Sequence, residues 1–271
     1  MTSALPMQSI LDLNGGKYSC VSANLPRAKG RVVATTIAES ASTHLLHYHE
    51  MSHLSFILNG AIIDKRKASE AERLSGELLF FHAGEAHQTI YKIFPATNIN
   101  LELGDFFYKE NSINEALVKS SAEINPNVKF IMLKIYQELL VMDDYSDCSI
   151  EMLLLNLIED KNSVKDHRPI WLENVLELLN DNWSETITLK DMANAANVHP
   201  VTISKHFPKY IACTLGEYRR RLKIEKSLNL IKTSKSSLTE ISQRCGFSDQ
   251  SHFTRTFKQA TGFLPRDYKS L

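Results

Sequence analysis

Residues 246–268, GFSDQSHFTRTFKQATGFLPRDY, admit very few local folds. Gly246 accepts a positive φ, which suits a tight turn between two short helices. Ser248 suits the N-cap of the helix that follows, and Asp249 adds negative charge to its first turn. Phe253 and Phe257 stand four apart, so one helix face carries both into a core. Gln250, Ser251, Arg255 and Lys258 fall on the opposite face with His252 on its flank, leaving donors and positive charge for a polar, anionic partner. Gly262 ends the helix and Pro265 prevents its continuation. A short helix, a glycine turn and a second helix with a basic outer face form a DNA-reading helix-turn-helix.

The unit occurs twice. Leu189 precedes Leu238 by 49 residues, while Phe207 precedes Phe257, and Tyr218 precedes Tyr268, by 50. In the first copy the spacing predicts a helix over 170–182 with Leu172, Val175, Leu176 and Leu179 inward. Thr188 caps a helix over 189–196, a turn follows at 197–199, and Pro200 opens the next helix. Ile203 and Phe207 anchor that helix as Phe253 and Phe257 anchor its counterpart. A connecting helix over 215–232 spans ~27 Å at the α-helical rise. That length can hold two reading helices about one DNA turn, ~34 Å, apart on one face of a duplex.

Charge agrees with this division. The chain of 271 residues is neutral overall, yet from His199 onward it holds 14 Lys and Arg against 5 Asp and Glu, a net of +9. The other 198 residues hold 17 against 26, a net of −9. A neutral or acidic module is thus joined to one suited to a polyanion.

The C-terminal stretch resembles the second helix-turn-helix of the AraC/XylS transcription regulators. Gly246, Phe247, Asp249, Ser251, Phe253, Arg255, Phe257, Lys258, Gly262, Pro265 and Tyr268 carry that resemblance, which extends over about the last hundred residues. Carried over by pattern and helix face, the reader positions are Val201, Ser204 and Lys205, with Thr202 at the edge, in the first unit. In the second they are Gln250, Ser251, His252 and Arg255; Arg255 suits guanine or a phosphate, and Gln250 suits adenine. Lys209, Arg219, Arg220, Lys223 and Lys258 are expected to neutralise phosphates. The first unit departs from the family pattern at Pro208, Ala212 and Leu215. Pro208 has no N–H, so the first reading helix is expected to end or kink there.

In the N-terminal part, short apolar runs from 19 to 107 alternate with turn residues such as Asn59-Gly60 and Ala83-Gly84, as in an antiparallel sandwich or barrel. His47 and His49 share a strand face. With His53 and Gly60, then Gly76, His82, Gly84, His87 and Tyr91, they resemble the two cupin motifs in spacing, although the motif Glu, Pro and Asn are replaced by His53, His82 and Tyr91. Two readings stay open for His47, His49, His53 and His87. They can line a sensory pocket for a small molecule, or be held by hydrogen bonds in the barrel; alternatively they can cage a divalent Zn, Fe, Ni or Cu ion. No cofactor is assigned.

From residue 113 the pattern turns helical, with helices over 130–141 and 149–159, the second capped by Ser149. Their apolar stripes suit either packing against the barrel or a homodimer interface. Residues 160–169 read as a linker. Cys20, Cys148, Cys213 and Cys245 are scattered, as free thiols are, with Cys245 in the core. The longest apolar runs are far short of a membrane span, and the N-terminus lacks the pattern of a secretory signal.

The expected class is α+β. It comprises a cupin-like β-barrel sensor (1–110), a helical linker or dimerisation region (111–169) and an all-α double helix-turn-helix (170–271). The resemblance implies a cytoplasmic transcription activator that engages double-stranded DNA, RNA polymerase and a small-molecule effector, without catalysis and without a membrane partner. The alternative is a cupin metalloenzyme with a DNA-binding appendage.

Overall fold

The computed structural model describes residues 11–13, 21–24, 30–40, 45–159, 169–211 and 213–271. The linker over 160–168, Cys20 and Ala212 lie outside the described residues. The chain divides into two compact units, residues 1–120 and 121–271.

The first unit is built on one sheet. Its strands are β1 (Leu11–Leu13), β2 (Val21–Asn24), β3 (Arg31–Ala38), β4 (His47–His49), β5 (Ser52–Arg66), β6 (Ser69–Leu74), β7 (Leu78–Phe81) and β8 (His87–Leu103). They run in the order β1-β4-β8-β3-β2, with β5 pairing β6, β7 and β8. Among the described residues only β1 and β4 pair in parallel. The long β5 and β8 dominate, and Leu54, Phe56, Ile57, Leu58, Ile99 and Leu101 from them are fully buried. The pairings among the described residues leave this sheet open: β2 meets only β3, and β6 and β7 meet only β5. They therefore do not close the barrel expected from the sequence.

Asn59-Gly60, expected as a turn, lies inside β5. Register shifts surround it, and Gly60 takes φ +86°. A Cβ there would lie 2.5 Å from the Ile93 carbonyl oxygen. Glycine therefore bends the strand as a bulge and lets β8 approach. After β8 come α1 (Asp105–Glu110), a helix absent from the sequence reading, and α2 (Glu115–Ile124).

The second unit is helical. It contains α3 (Val128–Val141), α4 (Ser146–Glu159), α5 (Ile170–Asp181), α6 (Leu189–Ala195), α7 (Pro200–Ile211), α8 (Leu215–Thr233), α9 (Leu238–Arg244), α10 (Gln250–Thr261) and α11 (Pro265–Ser270). The helix α4 begins at Ser146, not Ser149. The Asp143 N–H donates to Ser146 Oγ at 3.0 Å, and that hydroxyl faces Asp143 Oδ1 at 3.2 Å, so the turn leads directly into the helix. Within this unit α3 is fastened to the later helices. Lys129 Nζ lies 2.6 Å from Glu225 Oε1 on α8, and the Tyr136 and Phe263 rings are 6.2 Å apart. No described helix is long and apolar enough to cross a membrane.

Candidate nucleic-acid interface and buried histidine cluster

Both copies of the repeat fold into the same local device. Thr188 caps α6 by accepting from the Asp191 N–H, and Ser237 caps α9 by accepting from the Glu240 N–H. In each, the third-position carboxylate accepts from the cap's own N–H, completing a capping box. The turn after each helix takes a left-handed residue, Asn197 at φ +51° and Gly246 at φ +67°. Both residue types tolerate that region better than others. At Gly246 a Cβ would also lie 2.5 Å from the Ser184 carbonyl oxygen, so the turn has no room for a side chain.

The second helix of each unit then seats an aromatic pair or its equivalent. Ile203 and Phe207 are fully buried among Leu172, Val175, Leu179 and Met192. Phe253 and Phe257 are also fully buried, and an aromatic chain runs Phe247–Phe253 at 5.3 Å, Phe253–Phe257 at 5.7 Å and Phe257–Tyr268 at 5.5 Å. Asp249, not Ser248, is the N-cap of α10; its Oδ1 accepts from the His252 N–H at 2.7 Å. That hydrogen bond holds the Asp249 carboxyl below its ordinary pKa, as the positive end of a helix does. Gly262 ends α10 in the left-handed conformation. Pro208 does not stop α7, which runs through it to Ile211. The missing N–H would face the Ser204 carbonyl, and one lost bond in the last turns is tolerated.

These anchors leave the expected reader positions outward. Val201, Ser204, Lys205 and Lys209 on α7 are exposed, with Thr202 half-buried. On α10, Gln250, Ser251, His252, Arg255 and Lys258 are exposed. Gln250 Oε1 accepts from Thr239 Oγ1 at 2.6 Å, so its amide as held offers donors outward; adenine needs a donor and an acceptor together.

Two basic residues of α8 hold backbone carbonyls of the neighbouring segments. Arg219 donates to the carbonyls of Ile187 and Glu185, both at 3.1 Å. Lys223 Nζ donates to the Gly246 carbonyl at 2.7 Å and sits 5.7 Å from the Phe247 ring centroid. Arg219 thus holds the loop before α6, and Lys223 the turn before α10. Arg220 is exposed and lines a cleft beside Thr256 and Gln259. Sequence cannot distinguish a lysine that meets a phosphate from one that braces a carbonyl.

Lys232 is a further cation of α8. Its Nζ is 4.9 Å from the Tyr268 ring centroid and has no hydrogen-bond partner. Burial pulls its pKa down to about 8 from 10.5. Between these values the unfolded chain binds more protons than the native one, so this group's contribution to stability rises with pH. Lys232→Met is expected to stabilise the protein at pH 7 by about 1 kcal/mol, because an unpaired buried charge is removed. Urea unfolding at pH 7 and pH 10 checks this, and the gap between variant and wild type should narrow at the higher pH.

In the sheet unit, strand alternation brings the expected histidines together. His47 pairs His87 across β4 and β8, and His49 lies on the same buried face as His47. Ligand nitrogens of His47, His49 and His87 all lie within 4.8 Å of one another. The carbonyls of Leu45 and Glu85 lie 2.8 and 2.9 Å from Nδ1 of His47 and His87, so a neutral ring donates there and keeps Nε2 as a lone-pair donor. This donor set fits a divalent metal with an open position. His53 is buried too but stacks on Phe81 at 4.6 Å and stands outside that trio. Sequence reading missed Glu102, wholly buried and 3.6 Å from His49 Nδ1. Its signal is a carboxylate in the apolar run NINLEL of β8, at the register position opposite His53.

Burial, then the neighbouring His47, pulls His87 down to about 3 from 6.5. Burial likewise holds His53 well below 6.5, with His49 next in effect. Here the unfolded chain takes up protons that the native one refuses, so stability falls as pH drops from 6.5 toward 3. By pH 5 His87 costs about 2 kcal/mol, and His53 adds to the loss in the same direction. Thermal unfolding between pH 7 and 5 should show this loss, and His87→Asn should flatten it.

Residues 192–270 match the family model described as a helix-turn-helix domain. The C-terminal segment is thus similar to a helix-turn-helix domain. YdeC of Bacillus subtilis, an uncharacterised HTH-type transcriptional regulator, is 23% identical over 265 residues, covering 88% of this chain and 90% of YdeC. The HTH-type transcriptional regulator GbdR of Pseudomonas aeruginosa is 29% identical over 96 residues, 35% of this chain and 26% of GbdR. The HTH-type transcriptional activator RhaS of Salmonella arizonae is 29% identical over 98 residues, 36% of this chain and 35% of RhaS. The chain thus matches about a third or less of the length of GbdR and of RhaS. Among solved structures, an AraC-type transcriptional regulator from Chromobacterium violaceum is similar with TM-score 0.36 and 23% identity, over 37% of this chain and 89% of that one. ToxT from Vibrio cholerae is similar with TM-score 0.38 and 14% identity, over 89% of this chain and 98% of its own.

Proposed function

We propose that this chain is a sequence-specific, double-stranded DNA-binding transcription regulator of the AraC/XylS type. The observation that carries the reading is the duplicated device, α6–α7 and α9–α10, each with a buried apolar seat and an exposed polar or basic face. The helix-turn-helix match and the likeness to transcriptional regulators support it. Val201, Thr202, Ser204 and Lys205 enter one major groove, and Gln250, Ser251, His252 and Arg255 enter the next. Lys209 and Lys258 neutralise flanking phosphates, and Arg219, Arg220 and Lys223 add positive charge behind them. The protein acts in the cytoplasm as an activator that touches RNA polymerase. Residues 1–110 are a cupin-like sensor of a small-molecule effector, 111–169 a helical linker through which two copies associate, and 170–271 the DNA-binding domain. Effector binding shifts the population that is competent for DNA. No catalytic step is assigned. In vitro selection from random duplexes by the full-length chain tests the reading. Enrichment of one sequence with two half-motifs supports it, and sequence-indifferent binding contradicts it.

A second reading concerns what the sheet unit holds. The mutual approach of His47, His49 and His87 favours a divalent metal there, with His53 and Glu102 as close neighbours. Such an ion would supply a Lewis-acid centre. Metal analysis of the purified protein decides it: stoichiometric zinc supports a metal-holding sensor. Iron, nickel or copper with dioxygen turnover supports the metalloenzyme alternative, and no metal leaves the small-molecule pocket.

A further inference from the structure

A cleft of about 620 Å³ opens inside the helical unit, between α3–α4 on one side and α8 and α10 on the other. Its size lies in the range of small-ligand sites. Phe130, Ile131 and Ile224 give it a buried apolar floor. Its ionic lining is unbalanced. Arg221 is matched by Glu217, whose Oε1 it meets at 2.6 Å. Lys134 and Arg220 also line the cleft, and neither has an acid partner among the described residues. Gln259 adds an amide from α10. The lining therefore carries an excess of two positive charges over a hydrocarbon floor.

We propose that this cleft binds an organic phosphate monoester, a dianion with an apolar substituent. Two unmatched cations balance the two charges of the phosphate, and an arginine fork with amide donors suits its oxygens. Phe130 and Ile131, which keep a little surface at the floor, accept the substituent. A molecule so held ties Lys134 of α3 to Arg220 of α8, the helix that braces both DNA-reading units. That consequence rests on the function proposed above, whereas binding itself does not.

The probe is phenyl phosphate, added to the full-length protein without DNA and followed by titration calorimetry. Phenol supplies the ring without charge, and inorganic phosphate supplies charge without the ring. One site is expected, with phenyl phosphate bound at least tenfold more tightly than either control. Lys134→Met and Arg220→Met should each weaken it at least tenfold, while Lys258→Met, outside the cleft, leaves it unchanged. All three positions are polar and at or near the surface, and circular dichroism confirms that the variants fold. Inorganic phosphate binding equally well would overturn the proposal, as would absence of binding or full retention in both cleft variants. A separate measurement of DNA affinity tells failure of this site from failure of DNA reading: Lys134→Met should still bind selected DNA as wild type does.

Discussion

Phe257→Ala should cost about 3–5 kcal/mol of stability and abolish DNA binding by the second helix-turn-helix. Phe257 is fully buried and links two aromatic contacts, to Phe253 and Tyr268. Its truncation leaves a cavity that neighbouring rings cannot refill, since their own positions are set by α8, α9 and α11. The seat of α10 is thereby lost, and with it the orientation of Arg255. Phe207→Ala should destabilise the first unit comparably, because Phe207 is equally buried in a separate core. Denaturant unfolding with a DNA-binding assay checks both. A loss below 1 kcal/mol at Phe257 would show that the aromatic chain does not hold α10.

The second large effect belongs to the exposed face. Arg255→Ala should weaken binding to the selected sequence by about 1–3 kcal/mol, roughly 5–150-fold, and relax preference at one base position. The variant should fold as wild type does, since Arg255 is exposed and has no ion pair among the described residues. Lys258→Ala provides the contrast: affinity should fall evenly across sequences, and the salt dependence should lose about one phosphate contact. If Arg255→Ala also weakens all sequences evenly, Arg255 meets a phosphate and the specificity lies elsewhere on α10.

Sequence alone made the helical unit legible because its signals are local. Thr188, Asn197, Pro200, Gly246 and Gly262 each act through their own backbone, so their roles survive without knowledge of neighbours. The buried periodicity of Ile203, Phe207, Phe253 and Phe257 is equally self-contained. The errors came where two local rules compete. Ser248 and Asp249 are both good caps, and only the chain's path chose Asp249. Pro208 breaks helices on average, but here it stands beyond the reader turn, near the end of α7. Asn59-Gly60 is a turn in most hairpins, yet a bulge serves when the strand continues to Arg66.

Side-chain partnerships were the least legible. Arg219 and Lys223, expected near phosphates, also brace carbonyls within the fold, a partnership that residue type alone does not specify. The histidines were found through strand alternation within β4, but separating His53 from the trio needed its stacking on Phe81. Glu102 was invisible because it stands alone in an apolar run and meets His49 only across the sheet. The sheet's open pairing depends on which strands become neighbours, and period-two patterning does not specify that.

The central claim is that α7 and α10, braced by α8, read two successive grooves on one face of the same duplex. A phasing experiment tests it most directly: about five base pairs, half a helical turn, are inserted between the two half-motifs of the selected site. The account predicts that affinity falls to the level seen with only one half-motif, because the 19-residue α8 sets one spacing and cannot follow the half-site to the opposite face. Undiminished affinity for the lengthened site would contradict it.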